Sequence, residues 1–214
     1  KGPAAWAYFI EKYNHDFELL SSKNITTQVN EETLNFKSLL LVNGEYILIS
    51  YVQLRLERTL KVFGQKLDIV TTELTPPIEL HQDQFTTFKE VLNFDVNVSP
   101  NNNYFLITFR PSITSKRTVT ENETSFFVYN SDIELEWSKL NFQMGDEKDK
   151  VASFNVGLGD NSEVYLLTSN TSISNKESGL IYTSGIDYSL MIINGDDDII
   201  IQKFQGNGEK KYHD

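Results

Sequence analysis

Stretches in which every second residue is apolar recur along the chain and predict β-strands. Two clear examples are 52–57 and 133–137, where apolar residues alternate with charged or amide residues. Successive side chains of a strand point to opposite faces, so this period of two is typical of a strand with one buried and one solvent-exposed face. Continuous apolar runs at 39–42 and 199–201 are typical of strands that are buried on both faces. The chain is therefore predicted to be mostly β.

Two segments break this period and predict short helices. The first is N-terminal and places apolar residues at helical spacing behind a proline, which helix starts tolerate; it comprises Trp6, Phe9, Ile10, Tyr13 and Phe17. The second predicts a turn of helix around Phe85, Phe88 and Leu92.

The chain also contains an internal repeat of about sixty residues. Segments 32–50 and 90–108 align without a gap at a spacing of 58, with eight of nineteen positions identical. A fainter third copy at 154–168 follows the second at a spacing of 60. Each copy is predicted to be a hairpin, and the turn Asn43-Gly44 is the strongest signal because both residue types tolerate positive φ.

Three copies favour one of two architectures for a single all-β domain spanning 1–214. The first is a β-sandwich of jelly-roll type, and the second is a threefold fold such as a β-trefoil or β-prism. Uneven copy lengths and unmatched ends favour the sandwich. The predicted repeats span about 17–70, 71–136 and 137–193, followed by a C-terminal strand at 197–205.

Composition narrows the class of partner. The net charge is −11 with only four arginines, which disfavours nucleic acids and anionic membrane surfaces because both require clustered bases. No stretch is apolar for the roughly 18 residues of a membrane helix, so no membrane insertion is expected. The absence of cysteine excludes disulfides and thiolate chemistry. An extracellular location, or one on a cell or particle surface, is expected.

Few residues carry a recognisable chemistry. His15 and His81 each have a nearby carboxylate but no accompanying nucleophile, so surface histidines are expected and no catalytic residue is assigned. The acidic turn at 194–198 supplies hard oxygen ligands, and Asp196, Asp197 and Asp198 are the candidate ligands for calcium. The closing glutamate of an EF-hand is absent, and no other cofactor is predicted.

Two further groups of residues are candidate surface sites. Tyr182 and Tyr188 are the candidate ligand-binding aromatics, since tyrosine offers both an apolar ring and a polar hydroxyl. Asn24, Asn122 and Asn170 begin Asn-X-Ser/Thr sequons and are candidate glycosylation sites.

The order Gly-Glu-Tyr-Ile-Leu-Ile-Ser at 44–50 followed by Leu60-Lys61-Val62 resembles hairpins of jelly-roll carbohydrate-binding modules and other surface sandwiches. No site residue is transferred from this resemblance. The main hypothesis is a non-enzymatic module for protein–protein or assembly contacts, including self-association. The alternatives are a carbohydrate-binding module assisted by calcium, and a glycan-active enzyme whose carboxylates meet only in three dimensions.

Overall fold

The chain is all-β. The computed structural model describes residues 7–54, 56–84, 93–110, 123–144, 150–174, 182–195 and 198–205, and these ranges contain seventeen strands and no helix. In these ranges there is consequently no helix that is long and apolar enough to cross a membrane. The chain divides into two compact units: Lys1–Phe88 with Ser131–Glu134, and Lys89–Asn130 with Leu135–Asp214.

The first unit combines two small hairpins with a five-stranded antiparallel sheet. The hairpins are β1 (Phe9–Tyr13) with β2 (Leu19–Asn24), and β3 (Gln28–Val29) with β4 (Glu32–Thr33). The sheet comprises β5 (Asn35–Val42), β6 (Glu45–Leu54), β7 (Thr59–Asp68), β8 (Glu73–Leu74) and β9 (Ile78–Gln84). Strand β7 pairs with β8 at its end and with β9 along its first half. Leu34, Val52 and Phe63 form one of its buried clusters.

The second unit contains two four-stranded antiparallel meanders. The first comprises β10 (Asn93–Val98), β11 (Tyr104–Arg110), β12 (Glu123–Asn130) and β13 (Leu135–Gln143). The second comprises β14 (Lys150–Leu158), β15 (Val164–Ser174), β16 (Tyr182–Asn194) and β17 (Asp198–Gln205). Both sheets contribute to one core, with Leu106 and Phe126 from the first and Leu166 and Ile193 from the second. This arrangement is consistent with the predicted β-sandwich.

The hairpin predicted at Asn43-Gly44 is confirmed. Val42 pairs with Glu45, and the two turn residues have φ angles of 47° and 81°, as a tight turn between antiparallel strands requires. Hairpins also occupy the corresponding segments of the second and third copies. Leu40 pairs with Ile47, and the residues 58 positions later, Val98 and Phe105, pair with each other in the same way. In the third hairpin, Leu158 pairs with Val164, one residue earlier than a spacing of 60 would give. The repeat as an architectural unit, and the threefold alternative, stay predictions.

Gly44 offers a direct test of this turn. Gly44→Ala is expected to lower the free energy of unfolding by about 1–2 kcal/mol, because a Cβ disfavours the left-handed region. A Cβ at Gly44 would meet no atom within 4 Å, so the cost comes from backbone conformation alone. Gly157→Ala is the matched control, since its Cβ also meets nothing within 4 Å and its φ is not positive. Urea unfolding midpoints would measure both; equal midpoints for the two variants would contradict the prediction.

The predicted N-terminal helix is wrong. Phe9–Tyr13 forms β1, in which Phe9 pairs with Asn24 and Ile10 with Lys23. A spacing of four residues also returns to the same face of a strand, so the apolar pattern fits both structures, and pairing with β2 decides between them. Phe17 lies in the turn after β1 with a φ of 62°, and Trp6 lies outside the described residues. The second predicted helical segment, at Phe85, Phe88 and Leu92, also lies outside them.

The two apolar runs are not buried on both faces. In β5, Leu40 and Val42 are buried while Leu39 and Leu41 are exposed, so this edge strand alternates. In β17, Ile199, Ile200 and Ile201 are all exposed. The side chains of β17 are exposed on both faces of the sheet because β17 is its last strand among the described residues.

Candidate functional site

The sheet β14–β17 has one face that does not contribute to the core of the second unit. Cross-strand pairing places Leu167 beside Leu190, Tyr165 beside Ile192, and Tyr188 beside Phe204, all on this open face. The residues of the opposite parity, such as Leu166 and Met191, are buried in the core. We define the open face by these residues: Asn155, Gly157, Tyr165, Leu167, Ser169, Tyr188, Leu190, Ile192, Ile200, Gln202 and Phe204.

None of these eleven positions carries a charge, although 49 of the 214 residues of the chain do. The next pair of the same parity, Asn194 with Asp198, ends the sheet with one acidic residue. Tyr165, Leu167 and Tyr188 are 38%, 41% and 40% exposed, and Phe204 is 50% exposed. The open face therefore exposes neighbouring apolar side chains as a patch, whereas apolar residues scattered singly are the rule on the surface of monomeric proteins. Patches of this kind mark contact surfaces.

Strand β17 extends this surface to an edge. Among the described residues it pairs only with β16, which makes it the edge strand of the described sheet. The backbone N–H and C=O groups on the outer side of an edge strand are not used within its own sheet. Ile201 is 53% exposed although its pairing partner Met191 is buried, because the core of the second unit does not reach beneath β17. Lys203 is the one charged residue within 199–204.

The two candidate tyrosines lie on the same strand but apart. Tyr188 lies on the open face between Ser169 of β15 and Phe204 of β17. Tyr182 begins β16, and its side chain is outside the described part of the structure. They are six positions apart along the strand, which corresponds to about 20 Å. Only Tyr188 is thus shown to belong to the open face.

The calcium site stays a prediction. Asp196 and Asp197 lie outside the described residues, and Asp198 begins β17, where it pairs with Asn194. Within the described ranges no three His, Asp or Glu side chains come together as a metal site would require.

A second acidic turn, at 159–163, has a structural role instead. The Asp160 carboxylate accepts a hydrogen bond of 2.8 Å from the backbone N–H of Asn101, and the Asn101 amide donates to the Asp160 carbonyl at 3.0 Å. These bonds join the hairpin turns of the two sheets. A hydrogen bond from the Asn161 side chain lowers the pKa of the Glu163 carboxyl.

The candidate glycosylation sites differ in their surroundings. Asn24 ends β2, is exposed, and accepts a hydrogen bond from the backbone N–H of Thr26 at 2.8 Å. Asn170 lies within β15, paired with Val151 and Asp187, and its side chain is outside the described part. Asn122 lies outside the described residues. Use of these sequons stays a prediction.

The histidines also differ. His15 is a surface residue as expected, with its side chain 89% exposed and 3.1 Å from the Asp16 carboxylate. His81 is half-buried on β9, paired with Val62 of β7. Burial lowers the pKa of His81, against the opposing influence of Asp83 and Glu79. Tertiary burial of this kind could not be inferred from the polar residues around His81.

Sequence reasoning did not identify a polar groove in the first unit. The groove has a volume of about 480 Å³ and is lined by residues of two segments, 23–28 and 72–77, and by Gln65 of β7. It forms where β7 changes partner from β8 to β9, because Pro76 and Pro77 have no N–H to continue the pairing. Thr75 bridges the gap: its N–H donates to the Lys66 carbonyl, and its hydroxyl accepts from the Lys66 N–H, both at 2.9 Å. The Pro-Pro pair is the sequence signal for this break.

Comparison with known proteins does not assign this chain to a family. No family model and no curated protein matches the chain. One solved structure, the crystal structure of polysaccharide lyase Uly1, has a similar chain path with a TM-score of 0.46 at 9% sequence identity. The match covers 83% of this chain and 43% of that one, so this chain spans less than half of the length of its neighbour. A likeness at this level carries no argument about activity.

Proposed function

We propose that this chain is a non-enzymatic binding module that contacts another protein through the open face of β14–β17. The supporting observation is that the eleven positions of the open face carry no charge in a chain with a net charge of −11; the first charged position of the same parity is Asp198, which pairs with Asn194 at the end of the sheet. The cores of protein interfaces are depleted of charged residues and enriched in tyrosine and phenylalanine. The open face has this composition.

The aliphatic centre of the face favours a protein partner over a saccharide. Leu167, Leu190 and Ile192 lie between the aromatic positions and offer no hydrogen bonds. A saccharide laid across them would bury hydroxyl groups without partners, which costs free energy for each group. A protein surface with its own apolar side chains carries no such penalty. The edge of β17 offers the same partner backbone hydrogen bonds.

The open face can be tested with two matched leucines. Leu167→Lys places a charge at the centre of the face, while Leu140→Lys places one on β13 at a leucine that is 60% exposed and lies in the other sheet. Self-association would be measured by sedimentation velocity over a concentration series, and a heterologous partner by selection from a displayed peptide library. We expect Leu167→Lys to weaken the observed binding by about a hundredfold or more, because a buried unpaired charge costs several kcal/mol. Leu140→Lys should bind as the parent chain does.

Two results would overturn the proposal. The first is a parent chain that neither self-associates nor selects a peptide, and the second is binding that Leu167→Lys leaves unchanged. A glycan array with and without chelator provides the comparison with the carbohydrate alternative. Glycan binding that Tyr188→Ala or Asp197→Ala abolishes would overturn protein binding in favour of that alternative. The extracellular or surface location stays a prediction.

A further inference from the structure

The hairpin turn Asn43-Gly44 places an asparagine side chain next to a backbone nitrogen that no side chain shields. Both residues are exposed, and a Cβ built on Gly44 would meet no atom within 4 Å, so the space around Gly44 is open. Glycine has no Cβ, which allows close approach to its backbone. The same pair recurs at 194–195 and 207–208, but residues next to or within those pairs lie outside the described part of the structure.

The hydrogen bonds of the turn leave this nitrogen unused. Val42 pairs with Glu45, so the bond that closes the turn joins the carbonyl of Val42 to the N–H of Glu45. Within the described residues, neither the Gly44 N–H nor the Asn43 side chain makes a hydrogen bond. The Asn43 side chain and the Gly44 nitrogen are therefore free to react with each other.

The turn of the second hairpin provides a contrast within the same chain. Asn102 is also exposed and also has a positive φ, of 57°. The nitrogen that follows it belongs to Asn103, which carries a Cβ and whose N–H donates to Ser99 Oγ at 3.1 Å and to Asn101 Oδ1 at 3.0 Å. An attack by this nitrogen would break both hydrogen bonds. Asn102 thus matches Asn43 in exposure and in the sign of φ but is followed by a shielded nitrogen.

We propose that Asn43 is a site of spontaneous deamidation, in which the Gly44 nitrogen attacks the side-chain carbonyl carbon of Asn43. The nitrogen gives its proton to water or hydroxide and bonds to Cγ, and the side-chain nitrogen leaves as ammonia, which closes a succinimide ring. Water then hydrolyses one of the two ring carbonyls. One opening gives aspartate, and the other gives isoaspartate, in which the main chain runs through the former side chain. The reaction needs no enzyme because the two reacting groups are held together in one molecule.

The two products change the turn differently. Aspartate tolerates a φ of 47° as asparagine does, and it adds a negative charge beside Glu45. Isoaspartate inserts an additional backbone carbon into a loop of two residues, whose conformation sets the pairing of Val42 with Glu45. Conversion to isoaspartate therefore disrupts the end of the β5–β6 hairpin. The site lies in the first unit and shares no residue with the open face, so it is independent of the protein-binding function proposed above.

Peptide mapping by mass spectrometry, after incubation of the folded chain at neutral and at mildly alkaline pH, measures the conversion at each asparagine. Incubation in water enriched in heavy oxygen marks the products that form during the incubation, because hydrolysis places a solvent oxygen in the new carboxylate. We expect Asn43 to convert about tenfold or more faster than Asn102, because the Gly44 nitrogen is unshielded. The rate should rise with pH, since the attacking nitrogen must lose its proton.

Gly44→Ala is expected to slow the conversion of Asn43 about tenfold or more, because the added Cβ shields the attacking nitrogen. The variant also weakens the turn, and a looser turn favours ring closure, so slower conversion cannot result from lost stability. Asn102 should convert at the same rate in this variant and in the parent chain. The proposal is overturned if Asn43 converts no faster than Asn102 in the parent chain. It is equally overturned if Gly44→Ala leaves the rate at Asn43 unchanged.

Discussion

Phe126→Ala is expected to lower the free energy of unfolding of the second unit by about 3–5 kcal/mol, as large-to-small substitutions of buried phenylalanine do. Phe126 is fully buried, and its ring lies 5.9 Å from the ring of Phe142 within the core that the two sheets share. The substitution leaves a cavity, and the neighbouring strands cannot move in to fill it because hydrogen bonds to their partner strands fix their positions. The lost burial of the ring and the cavity that remains both contribute to this cost.

Phe204→Ala is the matched control, because this phenylalanine lies on the open face and is 50% exposed. We expect it to change the free energy of unfolding by less than about 1 kcal/mol, since roughly half of its surface is already in water. If the proposed function is correct, it should nevertheless weaken binding at the open face. The two variants thus separate the stability of the core from the proposed binding at the open face.

Both variants can be measured in a chain carrying Trp6→Phe, which leaves Trp137 as the one tryptophan. Trp137 is half-buried against the core of the second unit, and its indole N–H donates to the Ser162 carbonyl at 3.1 Å. Its fluorescence during urea unfolding therefore reports on this unit. A loss of stability in Phe204→Ala that equals the loss in Phe126→Ala would contradict the division into core and open face.

The strands could largely be predicted from the sequence because their signals are local. The Asn43-Gly44 turn demands positive φ, and these two residues tolerate it, so the hairpin follows from two residues. The N-terminal helix failed because the spacing of Phe9, Tyr13 and Phe17 fits one face of a strand as well as one face of a helix. Only the pairing of β1 with β2, which brings together residues up to 15 positions apart, distinguishes the two.

The candidate sites could not be predicted in the same way, because both depend on packing between distant segments. Leu167 and Leu190 are apolar residues of ordinary strands until cross-strand register places them on the face that the core leaves open. The chemistry of Tyr188 makes it a candidate from the sequence, whereas its neighbours Ser169 and Phe204 follow only from the cross-strand register. The groove at Gln65 exists because β7 changes partner beside Pro76, and a change of partner is a property of the sheet.

A buried hydroxyl recurs at one position of the three segments that the predicted repeat aligns, at Ser50, Thr108 and Thr168. The hydroxyls of Ser50 and Thr108 have no hydrogen-bond partner, and that of Thr168 makes a long contact of 3.5 Å with the Ser189 carbonyl. An unpaired buried hydroxyl is unfavourable, so packing does not explain why three positions share it. Shared descent of the copies would explain it, in line with the repeat that the sequence predicts.

Thr108→Val is therefore expected to raise the free energy of unfolding by about 1–2 kcal/mol, because valine keeps the shape of the side chain and removes the unpaired hydroxyl. Thr124→Val is the matched control of opposite sign. Thr124 is equally buried, but its hydroxyl donates to the Phe109 carbonyl at 2.9 Å, so we expect a loss of about 1–2 kcal/mol.

Urea unfolding of the two threonine variants, again followed through Trp137, should move the midpoint in opposite directions with an unchanged slope. Destabilisation by Thr108→Val would show that the hydroxyl has a partner in solution and contributes to folding. In that case its recurrence at Ser50 and Thr168 would reflect a shared structural requirement of the three hairpins. Stabilisation would instead show that folding does not require the hydroxyl, so that stability does not explain its recurrence at the three positions.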